Sequence, residues 1–169
     1  TSWADAGLDP ADLTGHDYYY RPVNPNVNVI EADQVDTLNV YNGNSPSNDT
    51  GTLTADRLFG LGMGPDTVIA GVELDGGISY TNLEAINLEL GYGSDTFTVE
   101  STHQGATTIK GGDGDDDFTV RTIAGHTTID TGAGILGETQ DVFVGSTANR
   151  VDQITGLLTV SGGTDTDVV

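Results

Sequence analysis

Residues 111–119 read GGDGDDDFT, and this nonapeptide decides how the rest of the chain is read. Glycine lacks a Cβ and reaches φ > 0 without strain, while aspartate bonds to its own neighbouring backbone in turns; the two together make a corner. After the corner, Phe118 and Val120 alternate with Thr119, the period of two that marks a strand with one face turned inward. The local unit is a glycine corner that feeds a strand.

The unit recurs. LGMGPDTVI (61–69), LGYGSDTFT (90–98) and, less perfectly, SGGTDTDVV (161–169) repeat it, and TGAGILGETQDVFV (131–144) fits if LGETQ is an insertion. The aligned acids are Asp66, Asp95, Asp116, Asp141 and Asp167, spaced by 29, 21, 25 and 26 residues. A second alternating run precedes the corners, in GATTIKGGDG from Gly105, GHTTIDTGAG from Gly125 and GLLTVSGGTD from Gly156, with Ile109, Ile129 and Val160 at a shared inward position. Further upstream, Ile86, Leu88 and Leu90 alternate ahead of their corner, so the segment NLEAINLEL is read as a strand and not as a short helix.

Stacked units of this kind bury a continuous aliphatic ladder at about 4.8 Å per layer. The expected fold is therefore all-β: a parallel β-solenoid, β-roll or β-helix-like, with coils of about 20–29 residues over residues 33–169. Residues 1–32 do not repeat; with Trp3, Tyr18, Tyr19 and Tyr20 they are expected to form an N-terminal cap or linker. NGNSPSNDTG (42–51) reads as a surface loop, and its sequon at Asn48 carries little weight. The chain lacks an initiator Met and closes on Val169 inside a repeat, as expected of a piece of a longer polypeptide.

GGDGDDDFT matches the pattern G-G-x-G-x-D-x-U-x of the RTX, or hemolysin-type, calcium-binding repeats, and LGYGSDTFT and LGMGPDTVI match all but its first glycine. The chain thus resembles RTX-like modules of large bacterial secreted or surface proteins. The resemblance implies a parallel β-roll in which aspartate carboxylates and glycine-turn carbonyls of adjacent coils share Ca2+. It departs from that family in having one such corner per coil, which implies one row of ions on one edge.

The chemistry of the corner points the same way. Calcium takes six to eight oxygens from carboxylates and carbonyls and tolerates irregular geometry. The expected metal-site residues are Asp66, Asp95, Asp113, Asp115, Asp116, Asp141, Asp165 and Asp167 with the glycine corners at Gly93, Gly111 and Gly132, and Asp113, Asp115 and Asp117 around Asp116 deepen the negative potential. Carboxylates stacked one strand spacing apart repel one another, and a cation between layers relieves that repulsion. The simpler use of any single copy is a tight turn closed by an aspartate hydrogen bond.

Composition narrows the function. The net charge is −21, with 20 Asp and 6 Glu against five Lys and Arg, which argues against nucleic acid or an anionic membrane as partner. Halophilic adaptation would scatter the acids, whereas here many follow glycine at a fixed offset. No apolar run approaches the ~20 residues of a membrane helix, and Cys is absent, which removes thiol nucleophiles. The three histidines are scattered without zinc spacing, and no Gly-x-Ser-x-Gly elbow is present. The expectation is an extracellular or cell-surface calcium-binding structural or adhesive module, without enzymatic activity, that associates with neighbouring repeats or copies of itself. The alternative is a carbohydrate-binding or polysaccharide-lyase-like β-helix using Lys110, Arg121 or Arg150.

Overall fold

The computed structural model describes residues 34–132 and 139–163, and Val35–Val169 form one compact unit. The expected cap or linker at 1–32 lies outside the described residues. Thirteen strands follow in order: β1 (Thr37–Tyr41), β2 (Thr50–Leu53), β3 (Arg57–Gly60), β4 (Thr67–Ile69), β5 (Val72–Leu74), β6 (Ile78–Ser79), β7 (Ala85–Gly91), β8 (Thr96–Val99), β9 (Ala106–Gly112), β10 (Asp117–Val120), β11 (Thr127–Asp130), β12 (Asp141–Val144) and β13 (Leu158–Ser161). Among the described residues there is no helix, and NLEAINLEL supplies strand β7.

The strands form a five-stranded parallel sheet, β1-β7-β9-β11-β13, a six-stranded mixed sheet, β12-β10-β8-β2-β3-β6, and a separate two-stranded pair, β4-β5. The two large sheets meet over one core. Ile86, Leu88, Ile109 and Ile129 come from the first and Leu53, Leu58, Phe97, Val99, Phe118 and Val120 from the second, all essentially without solvent contact. Each such side chain contributes about 1.5–3 kcal/mol of burial. Alternation along the strands decides which residues enter: β7 runs Ile86, Leu88, Leu90 inward with Asn87 turned out. The shared position read from the repeats is a row, with Ile109 opposite Ile129 and Ile129 opposite Val160.

This arrangement is closer to a β-sandwich than to the expected parallel β-solenoid, and that expectation is corrected. One of the two sheets is mixed, because β3 pairs antiparallel with both β2 and β6, and β4 pairs antiparallel with β5. After Leu53 the chain closes a tight turn, with the Thr54 N–H donating to Arg57 O at 2.8 Å, and folds back along β2. Gly60 lies against β2 at φ +87°, where a methyl would be driven into the Thr50 carbonyl oxygen. A side chain in that left-handed conformation would be strained as well as blocked. LGMGPDTVI, locally so like the other copies, runs into a hairpin whose central residues, Ala70 at φ 53° and Gly71 at φ 82°, have the positive φ of a type I′ turn. Antiparallel strands need only such a two-residue connection, whereas parallel pairing needs a long crossover. The local pairing wins at this copy.

Candidate functional site

Three fully described connections carry the chain from the parallel sheet to the mixed one, at residues 42–49, 92–95 and 113–116, and they stack, together with Thr131, Gly132, Thr139 and Gln140 of the next, because the strands on either side are in register. Thr50 stands opposite Thr96, Thr96 opposite Asp117 and Asp117 opposite Asp141. The residue before each therefore forms a row: Asp49, Asp95, Asp116, Gln140.

Two ladders of side chain to backbone hydrogen bonds run along the stack in opposite directions. In the inner one, the Asp49 N–H donates to Asp95 Oδ1 at 2.7 Å and the Asp95 N–H donates to Asp116 Oδ1 at 2.9 Å. In the outer one, the Ser94 N–H donates to Asn48 Oδ1 at 3.0 Å, the Asp115 N–H to Ser94 Oγ at 3.2 Å and the Thr139 N–H to Asp115 Oδ1 at 2.6 Å. Each turn so satisfies amides that its neighbour leaves unpaired, and bonds to a charged acceptor are the stronger kind.

Asp95 and Asp116 are 2% and 1% exposed. Asp95 Oδ2 is buried with no hydrogen-bond partner. Burial pushes the Asp95 carboxyl above its ordinary range; the bond from the Asp49 backbone pulls it down, and the charge of Asp49 pushes it up again. A buried carboxylate oxygen without a donor is costly unless a proton or a cation neutralises it.

Glycine is required where layers touch. Gly112 holds φ +106°, and a methyl there would be driven into the Gly91 carbonyl oxygen; Gly132 stands in the same relation to Gly112 O, and Gly93 to Ser47 O. Backbone carbonyls thus line the stack at van der Waals range of the next layer. Gly111 has another reason: a Cβ would lie 2.5 Å from both Asp116 Oδ2 and Thr131 O, so its bare Cα makes room for the Asp116 carboxylate.

The structure brings together only part of the expected ligand set. Asp95, Asp116, Gly93, Gly111 and Gly132 lie in the stack. Asp113 and Asp115 flank it with exposed side chains, and so does Asp117. Asp141 is one residue out of register, opposite Asp117, and its place is taken by Gln140, whose Nε2 donates to Gly114 O at 3.3 Å. Asp66 is elsewhere, at the base of the β4–β5 hairpin, where it pairs with Arg57 and accepts the Gly76 N–H at 2.8 Å; the Arg57 bond holds its carboxyl below the usual range. Asp165 and Asp167 lie outside the described residues. Among the described residues no three His, Asp or Glu side chains gather as a metal cluster.

Asp49 was missed by sequence reading because its connection, NGNSPSND, has no Gly-x-Gly. The signal was the Asp-Thr-x-Thr run that Asp49 and Asp95 share. In its own layer one carboxylate oxygen, Asp49 Oδ2, accepts two hydrogen bonds, from Asn42 Nδ2 at 3.1 Å and from Ser45 Oγ at 3.0 Å.

What the stack offers is oxygen only, in carboxylates and carbonyls. That set suits a hard cation such as Ca2+ and not a softer ion that favours nitrogen or sulfur ligands. Its fit rests on the unpartnered Asp95 Oδ2, with few carboxylates and many carbonyls. The basic residues proposed for sugar chemistry are engaged in cross-strand pairs, Arg121 Nε with Glu100 at 2.9 Å and Lys110 Nζ with Glu89 at 3.4 Å, and Arg150 pairs with Asp152. No protein-family model, curated protein or solved structure matches this chain.

Proposed function

We propose that this chain is a calcium-binding structural or adhesive module of a large secreted or cell-surface bacterial protein, without enzymatic activity. The observation that carries the reading is Asp95, a carboxylate 2% exposed whose Oδ2 has no protein donor, set in a stack of glycine turns that presents backbone carbonyls. Asp95 and Asp116, with carbonyls of the layers at Gly91, Gly93 and Gly112, would hold the ion. The resemblance of GGDGDDDFT to RTX repeats supports the same ion.

Calcium bound between layers would offset the repulsion of a chain at −21 and tie the two sheets at their shared edge. Because the ion would bind the folded layers and not the open chain, its binding energy would add to folding. Calcium is abundant outside cells, so the acidic chain would become most stable there. Neighbouring repeats or further copies are the natural partners: Phe143 on β12 and Val160 on β13, strands at the edge of each sheet, are 65% and 45% exposed.

The test is thermal unfolding followed by far-UV circular dichroism in EDTA, in millimolar calcium and in magnesium of equal ionic strength. A calcium-specific rise in Tm is expected; identical melting in all three buffers would remove the reading.

A further inference from the structure

A cleft of about 500 Å³ opens beside the first layer, lined by Tyr41, Asn42, Gly43, Asn44, Ser45 and Glu89. We infer that it is a binding site for a neutral oligosaccharide. The size falls within the range of small-ligand sites and far exceeds what one ion occupies.

Glu89 is among its lining residues. Gly43 has no side chain to cover it, and a Cβ there would lie 3.2 Å from Glu89 Oε2, so the bare glycine leaves this carboxylate oxygen open as an acceptor for ligand hydroxyls. One wall is Tyr41, 74% exposed at the end of edge strand β1, a rigid ring with an apolar face and a polar tip. Asn44 supplies an exposed amide, and its Oδ1 lies 3.3 Å from the hydroxyl of Tyr92, a second aromatic that is 55% exposed. Aromatic faces that take the C–H side of a pyranose, beside planar amides and a carboxylate that take its hydroxyls, are the chemistry of sugar recognition.

The lining is preorganised before any ligand arrives. The Ser45 N–H donates to Asn42 O at 2.8 Å, the Asn42 N–H to Glu89 O at 3.0 Å and the Tyr92 N–H to Ser45 O at 2.8 Å. Asp49 clamps the same loop through Asn42 and Ser45. A loop already held in place loses little entropy on binding.

Charge selects within the class. Glu89 and a net charge of −21 repel uronic acids and sulfated sugars. An ammonium ligand is disfavoured as well, because Lys110 Nζ already sits 3.4 Å from Glu89 Oε1. A hydroxyl-rich, uncharged ligand meets neither penalty.

The experiment is an NMR chemical-shift titration of the whole chain, in calcium-containing buffer, with neutral trisaccharides of glucose, xylose, mannose, galactose and N-acetylglucosamine, plus trigalacturonic acid and trimethylammonium as charged controls. At least one neutral sugar is expected to give saturable shifts centred on Tyr41, Asn44 and Glu89, with the charged controls silent. Tyr41→Ala, at an exposed edge position, is expected to weaken that binding tenfold or more with unchanged circular dichroism, and Glu89→Gln to weaken it several-fold. The inference is overturned if no neutral sugar shifts these residues at about 10 mM, well above a millimolar Kd. Binding of only a charged control, or undiminished binding by Tyr41→Ala, overturns it equally.

Discussion

Asp95→Asn separates the two tasks of the buried carboxylate. Asparagine keeps an oxygen where Oδ1 accepts the Asp49 N–H at 2.7 Å, so the inner ladder survives. It removes the charge that burial and Asp49 make unfavourable. In EDTA at neutral pH the variant is therefore expected to melt at or above the wild-type temperature. In calcium the order reverses. A site filled at 100 times its Kd stabilises the folded chain by about 2.7 kcal/mol, which at roughly 2–4 °C per kcal/mol for a chain of this size is a rise of about 5–11 °C. With its charge gone from the site, Asp95→Asn should gain less than about 1 kcal/mol, or roughly 2–4 °C. Asp95→Ala supplies the contrast, since it strands the Asp49 amide and should cost about 1–3 kcal/mol in EDTA, with about 2 kcal/mol more lost in calcium because the ion's carboxylate is gone too. The pH dependence in EDTA carries the same sign. A carboxyl raised above its ordinary 3.8 holds its proton longer in the folded state, so its contribution is greatest below that value and is lost as pH rises through the folded value. Asp95→Asn should flatten that slope. The assay is paired melts by circular dichroism, and an equal calcium-induced rise in wild type and Asp95→Asn would refute the reasoning.

Gly112→Ala should lower the melting temperature sharply, by several degrees, because its methyl would meet the Gly91 carbonyl at an already left-handed φ; Gly64→Ala, with nothing within 4 Å, should be nearly silent, and equal effects in a melting comparison would argue against close layer contact. Phe118→Ala, in a side chain 1% exposed, is expected to cost about 3–5 kcal/mol in urea unfolding, and a loss under about 1 kcal/mol would mean that the two sheets do not share this core. Burial pushes the His103 imidazole below its ordinary 6.5, against the opposing pull of Glu84, and its buried Nε2 has no partner. The unfolded chain therefore takes up a proton that the folded one refuses, so stability should fall as pH drops below about 6.5; His103→Gln should shrink the difference between urea midpoints at about pH 7 and about pH 5, and an unchanged difference would acquit the histidine.

Neighbouring strands were readable where gapless copies of the repeat also stack, as at LGYGSDTFT and GGDGDDDFT, and not at LGMGPDTVI. Asp95 and Asp116 share a row because LGYGSDTFT and GGDGDDDFT are equal in length, and Phe97 stands opposite Phe118 as their alignment requires. Asp141 slipped by one because alignment on the acid alone ignored the hydrogen-bond register, which sets Val142 opposite Phe118. A shift of one residue exchanges the inward and outward faces, so the strand takes the register that packs half-buried Val142 against the core and leaves Gln140 to face the turn. Asp49 escaped notice for the converse reason: its layer keeps the aspartate and replaces the glycines with a longer loop clamped by its own side chains.

By itself, the sequence determined that the chain is built of short strands with one apolar face, that glycine and aspartate occupy its corners, and that its surface is strongly acidic. These follow from period-two alternation, backbone freedom at glycine and simple charge counting, all of which act over a few residues. Only the tertiary structure decided which copies of the motif stack. LGMGPDTVI and LGYGSDTFT differ little over nine residues, yet one closes on itself through Ala70 and Gly71 while the other pairs with strands 21 and 46 residues away. That choice rests on competition between a local antiparallel turn and distant parallel neighbours. No nine-residue window contains both competitors.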